Sequence, residues 1–300
     1  MPTAEKLLSV NELTEHFLEM IRRSSTSLPE DVKATIKRAA ENEDEGSAAK
    51  STLLQLLDNV ALAESQATPV CQDTGALIFL VDYSPEYRMK ELRQAIEQAT
   101  VAATERYYLR SNAVDSVNGK NSGNNLGDGA PFIHFEECDE PGIHVRLLQK
   151  GGGSENVSAQ YKLPDSKLSA GRDLEGVRRV VLDAVCQAQG LGCAPGILGI
   201  GIGGDRATSF LCAKEQLCRK LDDVNPREEL AELEQTLLSQ ANELGIGPMG
   251  FGGKTTVLAV KAGARHRLPA SFFVSIAYMC WALRRCGLKV DEKGTVTYHD

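Results

Sequence analysis

The chain has 300 residues, 42% of them hydrophobic and 25% charged, with a formal net charge of −8. This is the composition of a soluble protein large enough to bury a real core, and it offers no basic face for nucleic acid. Met1–Val10 lacks the basic-then-apolar order of a leader, and the longest nearly apolar run, Ala270–Leu283, is interrupted by Ser271 and Ser275 and is too short to span a bilayer.

Leu13, Phe17, Met20 and Ile21 make an apolar stripe at helical spacing over Val10–Arg23. Ser27-Leu-Pro-Glu30 has the form of a capping box and predicts a second helix to about Ala40. Ser47–Glu64 reads as a third. This helical prelude leads into Pro69-Val-Cys-Gln-Asp-Thr-Gly75, which crowds a thiol, an amide, a carboxylate and a hydroxyl onto Cys71–Thr74 before a strand-length apolar run, Ala76–Val81. Polar chemistry on a turn held by a buried strand is how active sites are commonly built. The alternative is a loop with one buried structural thiol.

Glu86–Tyr107 predicts a long helix, rich in Ala, Glu, Gln and Arg. Asn112–Ala130, with five Asn and four Gly, predicts a loop whose length points to function or mobility. Strands are predicted at Pro131–Glu136 and Ile143–Leu148, the second running into Lys150-Gly-Gly-Gly-Ser-Glu-Asn156. Leu174–Gln189 is a predicted helix, Gly196–Ile202 a strand, Gly203–Leu221 and Arg227–Leu244 helices, and Lys254–Lys261 and Ser271–Met279 strands; Leu288–His299 predicts a small hairpin. The class is α/β: a helical N-terminal region, then a mixed sheet flanked by helices, organised as one domain over residues 1–300.

Two glycine clusters resemble nucleotide motifs. Gly199-Ile-Gly-Ile-Gly-Gly204 matches the dinucleotide pattern but lacks a following strand with an acidic end. Gly250-Phe-Gly-Gly-Lys-Thr255 fails as a P-loop because Pro248 stands where glycine is required. What remains is backbone N–H groups suited to a small anion or an inorganic cluster, weighed against tight turns and close packing. The eight cysteines include no CxxC pair, and a reducing, cytoplasmic setting is expected. Cys186, Cys212 and Cys218 fall in predicted helices and Cys138 at a strand end, whereas Cys71, Cys193 and Cys280 each sit at a junction. Three thiolates suit three irons of a cube and leave the fourth open to substrate.

Four motifs carry a resemblance: Pro-Val-Cys-Gln-Asp-Thr-Gly75, Lys-Gly-Gly-Gly-Ser-Glu-Asn156, Gly-Cys-Ala-Pro-Gly196 with Gly-Ile-Gly-Gly204, and Gly-Ile-Gly-Pro-Met-Gly-Phe-Gly-Gly253. Over roughly residues 10 to 285 the chain resembles the iron–sulfur-dependent class I fumarases and L-tartrate dehydratases, in their N-terminal part or α subunit. The resemblance implies a [4Fe-4S] cluster on Cys71, Cys193 and Cys280. It implies substrate contacts from Gln72, Arg110 and the Gly151, Gly152 and Gly153 turn, and catalytic roles for Asp73 and His266.

The implied reaction is reversible hydration of fumarate to L-malate, or dehydration of tartrate to oxaloacetate. Gly-Gly-Gly-Ser-Glu-Asn156 looks like the fumarase branch, whereas Gly-Ala-Pro-Phe132 and Cys-Trp-Ala-Leu-Arg-Arg285 look like tartrate dehydratase; the reading leans to fumarate. Asp73 is the acid beside a cluster ligand and suits proton transfer, and Arg110 can clamp a distal carboxylate through two N–H groups. The family's C-terminal part has no counterpart here, so a β subunit is expected to complete the site, in an α2β2 assembly. A non-enzymatic reading is a cluster-bearing redox sensor.

Overall fold

The computed structural model describes residues 7–300. Most of the segment read above as lacking a leader therefore falls outside the described residues. The chain divides into two compact units, one of residues 7–29, Asn59–Lys150 and Arg284–Asp300, the other of Glu30–Asp58 and Gly151–Leu283.

In the first unit, α1 (Val10–Thr26) opens on a true capping box: the Ser9 side chain accepts from Glu12 N–H, and Glu12 reaches back to Ser9 N–H. Leu13, Phe17, Met20 and Ile21 are buried along its stripe. Ser27 is the C-cap of α1, its hydroxyl donating to Leu28 O and the Glu64 side chain, and the second predicted helix begins at Glu30. The second half of α3 (Ala48–Gln66) leads to β1 (Ala76–Tyr83), and α4 (Met89–Glu105) follows. β2 (Phe132–Glu137), β3 (Ile143–Lys150), β8 (Arg284–Val290) and β9 (Val296–His299) complete a five-stranded sheet in the order β2-β1-β3-β8-β9. β1 runs parallel to β2 and antiparallel to β3. Phe79 and Val81 of β1, Val145 and Leu147 of β3 and Leu288 of β8 point into one core with Phe17 of α1 and Ile96 of α4. The predicted tail hairpin is real, and its first strand begins earlier, at Arg284.

The second unit holds α2 (Glu30–Asn42) and the first half of α3, then α5 (Gly152–Asn156), β4 (Ala159–Lys162), α6 (Leu174–Ala188), β5 (Gly196–Ile202), α7 (Arg206–Gln216), α8 (Glu228–Glu243), β6 (Val257–Ala264) and β7 (Phe273–Met279). Its sheet has the order β4-β7-β5-β6, with β5 and β6 parallel and β7 antiparallel to both β4 and β5. The class is thus α/β with mixed sheets, though the strands form two sheets rather than one. β4 and α5, of four and five residues, escaped the sequence reading because each is too short for its pattern to repeat visibly. Cys218 lies just beyond α7 rather than inside a helix. The Gly199–Gly204 run serves packing: a Cβ on Gly199 would meet Ala213 O at 2.1 Å, and one on Gly201 would meet Ser209 O at 2.0 Å, so these glycines let α7 lie directly on β5. No helix among the described residues is long and apolar enough to cross a membrane.

Candidate active site

In the first unit the Cys71–Gly75 turn is built by its own side chains and then fixed from two sides. Gly75 N–H donates to Asp73 Oδ1 at 3.0 Å, an Asx turn. Gly75 has φ +77°, and a Cβ there would lie 2.8 Å from the carbonyl carbon and oxygen of Lys150, its neighbour across the β1–β3 ladder. Only glycine satisfies both demands. From β8, the buried Arg284 donates Nη1–H to the Asp73 carbonyl at 2.8 Å, while its Nε, also buried, has no hydrogen-bond partner.

From the other side comes the segment after α4. Thr74 is fully buried, and its hydroxyl accepts both Arg110 N–H at 3.1 Å and Asn112 Nδ2–H at 2.9 Å. The Arg110 guanidinium donates to Gln72 O at 3.3 Å. A cleft results, lined by Cys71, Gln72, Thr74, Thr104, Arg110 and Ser111 among others. The structure therefore brings together Cys71, Gln72, Asp73 and Arg110.

In the second unit Gly151 caps the short α5, and Ser154 Oγ donates to its carbonyl at 2.8 Å. Gly153 faces Leu191 O. Cys193 sits in the turn between α6 and β5 with φ +55°, a conformation that non-glycine residues rarely adopt and that clusters at functional sites. Its N–H donates to Gly190 O at 3.1 Å, and its carbonyl accepts Trp281 N–H at 3.3 Å, which ties the Cys193 turn to the residue after Cys280. Under this turn lies Tyr278. A Cβ on Gly192 would sit 2.4 Å from its ring, and one on Gly196 would sit 2.5 Å from it. Burial raises the Tyr278 phenol well above its ordinary value, and the neighbouring Cys280 and Cys193 add to the effect. Gly190 packs on Met249 and Gly250, so the Gly247–Gly253 loop belongs to the same end of this unit. The structure thus gathers Cys193, Cys280 and the Gly151–Gly153 turn.

His266 stands elsewhere. Its carbonyl accepts Gly204 N–H at 3.2 Å, just past the C-terminal end of β5, whereas Cys193 precedes the N-terminal end. Seven strand residues separate them, about 20 Å at ~3.3 Å per residue. His266 lines a different cleft, with Arg265, Arg267 and Phe272.

Whether these residues suit an iron–sulfur cluster turns on donor chemistry. Cys71 and Cys280 are partly exposed and Cys193 is exposed, as reactive or metal-binding cysteines are and structural ones are not. Cys212 and Cys286 are buried, and burial pushes the Cys286 thiol up to about 12. Among the described residues no group of three or more His, Cys, Asp or Glu side chains is placed to hold a single metal ion. A cube takes one thiolate on each of several irons, and exposed or partly exposed thiols are the donor type it takes; Cys71 lies in the first unit and Cys193 and Cys280 together in the second. Sequence reasoning missed Asn112, Asn125, Tyr278 and Arg284. The asparagines were visible only as loop composition, and the Arg284-Arg285 pair, both buried, was read only as part of a motif and given no role.

Comparison with known proteins adds the family. The fumarate hydratase (Fumerase) profile matches residues 14–289. A provisionally named class I fumarate hydratase of Geobacillus stearothermophilus is 47% identical over 285 residues, which are 94% of this chain and 55% of that protein. A provisionally named L(+)-tartrate dehydratase subunit alpha of Methanocaldococcus jannaschii is 35% identical, covering 94% of this chain and 99% of the relative. The L(+)-tartrate dehydratase subunit alpha of Escherichia coli is 30% identical, covering 97% and 94%. The chain spans about half of the first relative and nearly all of the two alpha subunits. With a profile match over most of its length and motif residues that fall on the turns just described, the chain belongs to the fumarate hydratase (Fumerase) family of hydro-lyases.

Proposed function

We propose that the chain is the α-type part of an iron–sulfur hydro-lyase that adds water reversibly across fumarate to give L-malate. The observation that carries this reading is the cleft of the first unit. It is lined by Cys71, Gln72 and Arg110, residues bearing a thiol, an amide and a guanidinium, beside the Asp73 turn, with the backbone of Arg110 hydrogen-bonded to the buried Thr74. Arg110 binds the distal carboxylate of a small dicarboxylate through two N–H groups. Gln72 and the N–H groups of Gly151, Gly152 and Gly153 orient the proximal end. Asp73 holds or moves the proton at the carbon that does not receive the hydroxyl. His266, a strand's length from Cys193, is assigned no step with the thiols and is left as a candidate for proton transfer from its own cleft.

The cluster ligands in this reading are Cys71, Cys193 and Cys280. When bound, a [4Fe-4S] group would supply Lewis acidity for the hydroxyl and the adjacent carboxylate. We read the chain as one functional domain in a cytoplasmic α2β2 assembly, with a β-type chain completing the site. Coverage of the two alpha subunits over nearly their whole length supports that division. The same coverage favours a second reading, in which the substrate is L(+)-tartrate and the product oxaloacetate.

The experiment is anaerobic co-expression with a β-type chain, followed by assay of fumarate, malate and the tartrate isomers. Turnover of fumarate that requires both chains and ferrous iron supports the first reading, and turnover of tartrate alone supports the second. Full activity after iron removal, or no turnover of any dicarboxylate by an iron-loaded complex, refutes both.

A further inference from the structure

The residue that must meet the substrate carboxylate, Arg110, lies in a segment with no regular structure, four residues beyond the C-cap of α4. A guanidinium on a loose segment would pay for its ordering each time it bound, and pre-organisation removes that cost. We infer that Asn125, in the long Asn- and Gly-rich loop, is a positioning residue that fixes Arg110. This inference rests on the carboxylate-binding role proposed above.

Asn125 uses its whole carboxamide on this segment. Its Oδ1 accepts Asn112 N–H at 2.7 Å. Its Nδ2 donates to the Arg110 carbonyl at 2.8 Å and to Thr104 Oγ1, on α4, at 2.9 Å. Thr74 does the matching work from the other side, accepting Arg110 N–H and the Asn112 side chain. Arg110 and Asn112 are therefore each held from both sides, from the Cys71–Gly75 turn and from the loop. Asn125 stands at φ +62°, a left-handed conformation in which asparagine is enriched among non-glycine residues.

No common substitute reproduces this. Aspartate keeps the acceptor but brings no donor and sets a carboxylate against the Arg110 carbonyl. Glutamine places the amide one methylene too far, and alanine offers nothing and is strained at that φ. The loop's other asparagines show the contrast. Asn118 Oδ1 accepts only Lys120 N–H, within its own turn, and Asn124 Oδ1 accepts only Leu126 N–H. Asn121 joins Asn125 in reaching across, bonding Ser111 at both its carbonyl and its hydroxyl. The long loop whose length pointed to function or mobility is thus a brace in which Asn121 and Asn125 close on residues 110–112.

The test uses Asn125→Gly, which keeps the left-handed backbone and removes all three hydrogen bonds, and Asn125→Asp. Asn118→Ala is the same-loop control. Amide hydrogen exchange on the chain should speed up at Arg110 and Asn112 in Asn125→Gly and stay at the wild-type rate in Asn118→Ala. In the complex with its β-type chain, KM for the dicarboxylate should rise roughly thirtyfold, the effect of about two lost hydrogen bonds, with kcat changed less and the cluster absorption unchanged. In an Arg110→Ala background the same Asn125→Gly change should have no further effect on KM, because a brace acts only through what it braces. Exchange at residues 110 and 112 that does not respond to Asn125→Gly overturns the inference, as does a KM effect that adds in full to Arg110→Ala. If exchange responds while no dicarboxylate is turned over even by the wild-type complex, the brace stands and the proposed function is what fails.

Discussion

Adding one methyl group at Gly75 should destabilise the first unit at the turn that carries Cys71. Two separate penalties fall on Gly75→Ala. The backbone stands at φ +77°, and moving an L-residue with a Cβ into that region costs about 1–2 kcal/mol. The new Cβ would also lie 2.8 Å from the Lys150 carbonyl carbon and oxygen. These are main-chain atoms in the β1–β3 ladder, where Ala76 pairs with Lys150, so no flexible side chain can swing away. Overpacking against such a wall costs roughly 1–3 kcal/mol, which brings the total to about 2–5 kcal/mol. Gly119 is the control. It lies in the same unit at φ +72° with nothing within 4 Å of a built Cβ, so Gly119→Ala should carry only the first penalty, about 1–2 kcal/mol. Urea unfolding of the two variants isolates the contact as the difference between them. Equal destabilisation would refute the argument that the turn is clamped against β3.

Two further outcomes test the scaffold. The buried carboxylate of Glu43 accepts Lys254 N–H at 3.0 Å and Thr255 N–H at 2.8 Å; Glu43→Ala should destabilise by about 2 kcal/mol, more than Glu43→Gln, and free the Gly247–Gly253 loop to limited proteolysis. Cys286, held neutral by burial up to about 12, gives an alkaline signature. Below the unfolded thiol value of ~8.5 neither state ionises and the residue contributes no pH dependence, whereas above it the unfolded chain alone loses the proton. Stability should therefore fall from about pH 8.5 towards 12, by about 2 kcal/mol at pH 10, and the fall measured by urea midpoints should be shallower in Cys286→Ala.

The elements were legible where one period ran long enough to see. The apolar stripe of α1, the buried run of β1 and the composition of α4 each appear within a few residues of their observed bounds. The site was legible where chemistry and turn signals coincided, as at Cys71–Gly75. Three features were not, each for its own reason. Arg284 and Arg285 received no role because charge in a sequence carries no burial, and here both are buried on β8, an interior strand between β3 and β9. The anchorage of the Asn112–Ala130 loop was not visible because the hydrogen bonds that fix it to Thr74, Thr104 and Ser111 are made by side chains over separations of 10 to 38 residues, which no local pattern records. The glycines of Gly199–Gly204 looked like a phosphate cradle because close approach of a helix and close approach of an anion require the same absent Cβ.

Asp73 shows how a residue can be placed by structure and still need chemistry to explain it. Its Oδ1 closes the Asx turn onto Gly75 N–H, and its carbonyl receives the Arg284 guanidinium. Both contacts are made equally well by asparagine, whose side-chain oxygen accepts the same N–H and whose main chain is unchanged. If Asp73 were only a turn builder, Asp73→Asn would be silent. If it also moves the proton in the hydration step, the amide preserves the turn and removes the transfer, a loss of about 10²–10⁴ in turnover. The expected outcome is the second: an unfolding free energy from urea titration changed by no more than ~0.5 kcal/mol, with turnover by the iron-loaded complex down by at least two orders of magnitude. Asp73→Ala loses the side-chain acceptor as well, and should fall in stability by about 1 kcal/mol on top of the same loss of turnover. A stable Asp73→Asn complex working at the wild-type rate would move the proton to another group and leave Asp73 as the hinge pin of the Cys71 turn.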